Sequence, residues 1–165
     1  MNAVRNSCQG DLPDASALGQ HNRGHRRRRG TPRAADVSSV PPLHWWRRLQ
    51  ANALTDVHRA ILRKAVSGIG MIGEPRWTDA AIGDAAAAIG VALRAVKSSC
   101  TPRPQLDLVM SALLRCAIAG DAAAINALTH VLGLTATDDP SCALIAASWQ
   151  SRMVARRRCH MLRGG

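Results

Sequence analysis

Along the first 42 residues the apolar positions form no pattern, and beyond them they recur at helical spacing almost to the C-terminus. Residues 1–42 hold few large apolar side chains and show neither a strand nor a helix period. They include His25–Gly30 (HRRRRG) and close on Val40–Pro42 (VPP). Such a segment cannot bury enough apolar surface to offset the entropy of ordering it, so it is expected to be a disordered basic tail. From Leu43 the signals change. Leu54, Val57, Ile61 and Ala65 make a stripe that ends at Gly68 and Gly70, and a break near Asn52–Thr55 divides this stretch into two helices. Glu74–Trp77 (EPRW) reads as a turn. Thr78 reads as an N-cap, with Asp79 favourably placed for the helix dipole.

After Thr78, Ile82, Ala86, Ile89, Leu93 and Val96 recur with 4-3-4-3 spacing, the seam of a helix that packs on another. Ser98–Pro104 (SSCTPRP) breaks the chain. Leu106, Val109, Met110, Leu113, Leu114, Ala117 and Ile118 form the next apolar face, closed by Gly120. Asp121 caps a helix with Ile125, Leu128 and Leu132 inward and Gly133 at its end. Asp139 and Pro140 supply an N-cap and first-turn proline. The last helix carries Leu144, Ile145, Trp149 and Met153 and frays into Arg156–His160 (RRRCH). The pattern predicts an all-α protein: a compact bundle of five or six short helices over residues 43–160. A disordered basic tail, residues 1–42, precedes it and a disordered end, residues 161–165, follows.

Composition supports helices. There are four Trp, no Phe and no Tyr, so the core must be built from aliphatic residues and Ala, the best helix former. Arg outnumbers Lys by 20 to 2, and Asp outnumbers Glu by 10 to 1. That skew fits a GC-rich bacterial coding sequence, so the abundance of Arg is not by itself a sign of phosphate chemistry. Its placement says more. Residues 1–48 carry a net +6, residues 49–151 a net of zero, and residues 152–165 a net +5. A neutral middle stands between two basic ends.

Ala85–Val96 (AAAAIGVALRAV) supports two readings. Ala86, Ile89, Gly90, Val91 and Val96 fall where a helix-turn-helix places its small, turn and flanking apolar residues. Over about 20 residues (78–99) the segment resembles the helix-turn-helix of bacterial regulators. The resemblance implies a recognition helix beginning at Ala92, with Arg94 and Lys97 facing DNA. Ala92 where a capping Ser or Thr belongs, Leu93 towards the groove and Ser99 at a buried position depart from that pattern. One unbroken helix accommodates all three and is the favoured reading.

Arg23, Arg26, Arg27, Arg28, Arg29 and Arg33 at one end, and Arg156, Arg157 and Arg158 at the other, can engage phosphate oxygens through their planar donor forks. Trp45–Arg48 (WWRR) resembles an interfacial membrane anchor, but adjacent tryptophans cannot share one helix face, and a Trp covering the end of the bundle is the simpler expectation. The five cysteines include no C-x-x-C pair and follow no apolar signal segment, which points to reduced thiols in a cytoplasmic protein. Cys142, Cys159, His130 and His160 match no zinc-ligand spacing, so neither a metal nor any other cofactor is expected. No carboxylate pair, nucleophile elbow or phosphate loop is evident, nor any small-molecule or membrane site. The expectation is a non-enzymatic protein that associates with nucleic acid, without sequence preference, through its two basic arms. The alternatives are a self-associating or partner-binding helical module and a helix-turn-helix regulator.

Overall fold

The computed structural model describes residues 39–98 and 100–163. Arg23, Arg26, Arg27, Arg28, Arg29 and Arg33 lie outside the described residues, as do Ser99 and the side chain of Arg157. Among the described residues the protein is all-α, as its periodicity predicts. Two short 3-10 helices, Pro42–Arg47 and Ala51–Ala53, precede α1 (Asp56–Ser67), α2 (Trp77–Ile82), α3 (Ala85–Lys97), α4 (Arg103–Ala119), α5 (Ala122–Thr135) and α6 (Ser141–Arg163).

Helix α4 is the centre. Every residue from Asp107 to Ile118 is buried, because α1, α3, α5 and the first 3-10 helix all pack around it. Leu113, Leu114, Leu62 on α1 and Leu128 on α5 are wholly inaccessible, and each such burial stabilises the fold by roughly 1.5–3 kcal/mol. Ala87, Ala88 and Ala92 of α3 and Ala112 and Ala117 of α4 are buried as well. Alanine at these positions lets the helix backbones approach closely, so an almost aromatic-free chain still closes a core.

The expected helix starts and stops hold where a cap chemistry dictates them. The Thr55 side chain and the His58 ring make a reciprocal capping box at the start of α1. Asp121 accepts from the Ala124 amide at 2.7 Å, and Asp139 accepts from the Ser141 amide and hydroxyl where α6 begins. Gly120, at φ +93°, closes α4 in the left-handed conformation.

Elsewhere the structure corrects the sequence reading. Ala85–Val96 lies in one unbroken helix, as the favoured reading has it, with no turn at Gly90, but that helix does not reach back to Thr78. The chain turns at Gly83 (φ +110°), and Asp84 caps α3 by accepting from the Ala87 amide at 2.6 Å. α3 then runs unbroken through Gly90. Thr78 sits inside α2, whose N-cap is Arg76. The most deeply buried face of α3 is rotated to Ala87, Ala88, Val91 and Ala92; of the expected seam, Ile89, Leu93 and Val96 are half-buried against the core, while Ile82 and Ala86 are exposed. On α1 the buried positions are Leu62 and Val66, and Val57 and Ile61 face outward. Gly133 does not end α5, which continues to Thr135. Arg156–His160 and Met161–Arg163, expected to fray or be disordered, continue α6 as helix to Arg163. At the other end, ordered packing begins before Leu43: Val40 packs on the core and its carbonyl accepts from Trp45 Nε1 at 2.8 Å.

Candidate functional site

The eight acids of the neutral middle are mostly engaged in local structure. Asp84 and Asp121 cap helices, and Asp139 holds the start of α6. Asp107 is buried in α4, where it accepts from Trp46 Nε1 at 2.9 Å and from two nitrogens of Arg47 at 3.0 Å. Burial raises the Asp107 pKa, but the Arg47 and Trp46 hydrogen bonds and the charges of Arg47 and His44 outweigh it and hold the carboxyl below the usual range. Glu74, the single glutamate, is bound by Arg94. Several arginines are left with no such partner. Arg63, Arg115, Arg152 and Arg156 make no ion pair with a carboxylate among the described residues.

Three arginines meet in one groove. Asp56, Arg59, Ala60 and Arg63 of α1, Ile82 and Gly83 at the end of α2, and Arg115, Cys116 and Ala119 of α4 line a depression of about 470 Å³. Arg59 and Arg63 are one helical turn apart, so both extend from the same face of α1. Arg115 is only 5 % exposed. Its Nη1 donates to the Ala81 carbonyl at 2.6 Å, at the C-terminal end of α2. Its Nη2 side lies in the space that a Cβ would fill at Gly83, so glycine there serves both the left-handed turn and the passage of the guanidinium. Burial lowers the Arg115 pKa, and the charges of Arg63 and Arg59 lower it further, against the opposing effect of Cys116. Arginine nevertheless stays protonated, so the groove holds a desolvated cation flanked by two more. Asp56 pairs with Arg59 Nε at 3.3 Å and leaves the rest of that guanidinium open. Cys116 Sγ donates to the Gly83 carbonyl at 3.6 Å, and burial pushes its thiol pKa up.

The sequence reading did not single out Arg115, Arg59 or Arg63. A signal for Arg115 was present: it is the lone charge in the otherwise uncharged run Leu108–Ala119. The arginines that were singled out fall differently. Arg94 is held by Glu74, and Lys97 is exposed at the end of α3. Arg156 lies over Gly120, its guanidinium in the space a Cβ would occupy, and so caps the negative end of α4. Arg158 is exposed one half-turn further along α6. Arg152, a turn before Arg156, donates to the Ala51 and Leu54 carbonyls at 2.7 and 3.1 Å and covers the Trp149 ring at 5.3 Å.

Trp45 and Trp46 are both buried, which the 3-10 geometry of Pro42–Arg47 permits. Trp45 packs edge-on against His58 of α1, and Trp46 reaches Asp107 of α4. They clasp the bundle from two sides and are not available as a membrane anchor. No helix among the described residues is long and apolar enough to cross a membrane. Cys142 is buried near the start of α6 and Cys159 exposed near its end, separated by roughly 25 Å of helix at 1.5 Å per residue. No group of three His, Cys, Asp or Glu among the described residues is placed to hold a metal ion. Comparison with protein-family models, with curated proteins and with solved structures finds no match to this chain.

Proposed function

We propose that this protein associates with nucleic acid without reading its sequence, its arginines contacting backbone phosphates. The observation that carries this reading is the separation of charge. Acids are engaged in caps and in the Asp107 and Glu74 pairs, while Arg152, Arg156 and Arg158 follow one another on an ordered helix that leads into the basic C-terminal end. Arginine forks suit phosphate oxygens, and such contacts release counterions, so affinity falls steeply with salt. The N-terminal cluster Arg23–Arg33 acts as the second arm. The domain is a binding protein and not an enzyme in this reading, in which the Cys116 thiol, its pKa pushed up by burial, has no nucleophilic role. A cytoplasmic location suits the free thiols Cys116, Cys142 and Cys159.

The test is retention of the full chain on duplex and single-stranded DNA at rising salt. Log affinity is expected to fall linearly with log salt for any sequence, with a slope near −0.9 per phosphate contacted on duplex. Deletion of residues 23–33 flattens that slope, and Arg156→Ala with Arg158→Ala flattens it further. Retention that is absent at low salt, or that ignores both changes, would sink the reading.

A second reading, a protein-interaction module, is favoured by exposed isoleucines. Ile69 and Ile82 line a groove between the end of α1 and α2, with Met71 and Trp77 beside them. Sedimentation of the full chain across a hundredfold concentration range separates the two: self-association that Ile82→Glu abolishes supports this second reading.

A further inference from the structure

The groove between α1, α2 and α4 has features that general nucleic-acid affinity does not need. A cation on a solvated surface would serve that purpose, whereas Arg115 is buried to 95 % of its surface and has no carboxylate partner among the described residues. Removing a charge from water is costly unless it is paired. Here a backbone carbonyl, Ala81 O, takes one Nη1 bond, and the arginines that share the groove, Arg59 and Arg63, carry charge of the same sign. Three guanidinium groups against one carboxylate, Asp56, leave the groove with an excess of two positive charges. The arrangement is self-repelling when empty and becomes compensated when a compact dianion enters.

We propose that this groove is a discrete binding site for one phosphate group, with Arg115 at its base and Arg59 and Arg63 closing on it from α1. A dianionic phosphate offers three oxygens to three planar donor forks, and it matches the excess charge of two. Glycine at position 83 keeps the base open, since any Cβ there would displace the Arg115 guanidinium. The site rests on Arg115 and the groove, so it stands or falls separately from tail-mediated association with nucleic acid.

Arg115→Gln is the obvious variant, but it also removes the bond to Ala81 and can unfold the domain. Arg59→Ala combined with Arg63→Ala alters only side chains on the solvent side of α1 and is the decisive variant. Titration of the full chain with inorganic phosphate at constant ionic strength, followed by calorimetry and by melting temperature, is expected to show saturable binding of one phosphate per chain. A melting temperature that rises with occupancy is the linked signature. The double variant should bind phosphate at least tenfold more weakly and lose that rise. No saturable binding to the wild type, or an equal response of both proteins, overturns the site, because a generic salting effect does not depend on these side chains.

Oligonucleotides differing only in a 5′-phosphate or 5′-hydroxyl then identify the source of the group. A tenfold preference for the phosphorylated strand, lost in the double variant, supports the site with a nucleic-acid end as its occupant. Equal binding of both strands, alongside a retained response to inorganic phosphate, supports it with a free or small-molecule phosphate. A wild type that shows no saturable phosphate response but keeps salt-dependent DNA retention would remove this site and leave the proposed function standing. The opposite pattern would do the reverse.

Discussion

Arg94 on α3 and Glu74 in the loop before α2 close an ion pair, Nη2 to Oε1 at 2.6 Å and Nε to Oε2 at 3.2 Å, across twenty residues of sequence. The pair fastens the Ile69–Arg76 connection to the outer face of α3. It also occupies the side chain that a recognition helix would send to DNA. The Arg94 hydrogen bond lowers the Glu74 pKa, with burial opposing it. Arg94→Ala is therefore expected to leave the global melt almost unchanged and to speed amide exchange selectively in residues 69–76. Affinity for DNA should fall slightly and equally for all sequences. Loss of preference among sequences in this variant would restore the helix-turn-helix reading.

Gly83 and Gly90 lie seven residues apart and should respond in opposite directions. Gly83 has φ +110° and the Arg115 guanidinium against it, so Gly83→Ala is strained by conformation and by contact. A loss of about 1–3 kcal/mol is expected from forcing a non-glycine residue into that region. Gly90 lies within α3, and an added Cβ would meet only Arg94 Nη1 at 3.4 Å. Gly90→Ala should be neutral or stabilising by up to ~1 kcal/mol. Urea denaturation of the two variants checks the location of the turn.

Asp107 ties the N-terminal tryptophan clasp to the central helix, and its loss should be costly. Asp107→Ala strands the Arg47 charge and the Trp46 indole N–H, and removal of one partner of a buried ion pair costs about 3–5 kcal/mol. The pH dependence follows from the lowered carboxyl pKa. Near the unfolded pKa the unfolded chain binds more protons than the folded one. The stabilisation from Asp107 is thus fully present above the unfolded aspartate value of about 3.9 and is lost as pH falls through the lower folded value. Thermal melts of the wild type should weaken steeply with acid below about pH 4, where such carboxylates protonate. Asp107→Asn should be less stable at neutral pH and show a shallower acid limb.

Leu113 faces the core from the middle of α4 and is wholly inaccessible. Truncation to Ala should cost about 2–5 kcal/mol. Leu113→Asp forces a charge among Leu and Ala side chains and should abolish the cooperative melt, as followed by far-UV circular dichroism. A folded Leu113→Asp protein would mean that α4 is not central.

The sequence by itself determined that the chain is helical and where several of its caps fall, though not those of α2 and α3. Local chemistry decides both: Asp121, Asp139, Gly68 and Gly120 act on amides and carbonyls within a few residues, and a 3.6-residue period is written in neighbouring positions. It did not decide which side of each helix faces inward. On α3 the Ala-rich side and the Ile–Leu–Val side are both apolar, and only the approach of α4 and α5 selected Ala87, Ala88, Val91 and Ala92. The same ambiguity displaced the stripe on α1 from Val57 and Ile61 to Leu62 and Val66. Gly83 and Gly90 are alike in sequence, and the position of Arg115, supplied by a helix thirty residues later, goes with a turn at the first and not the second. Where charge gathers is hidden from the sequence for a related reason. A net of zero over residues 49–151 is a sum, and sums carry no positions. Tertiary packing engaged the acids at helix starts and in ion pairs, and it brought Arg59, Arg63 and Arg115 from two distant helices into one groove. That convergence depends on contacts more than fifty residues apart, which no local pattern encodes.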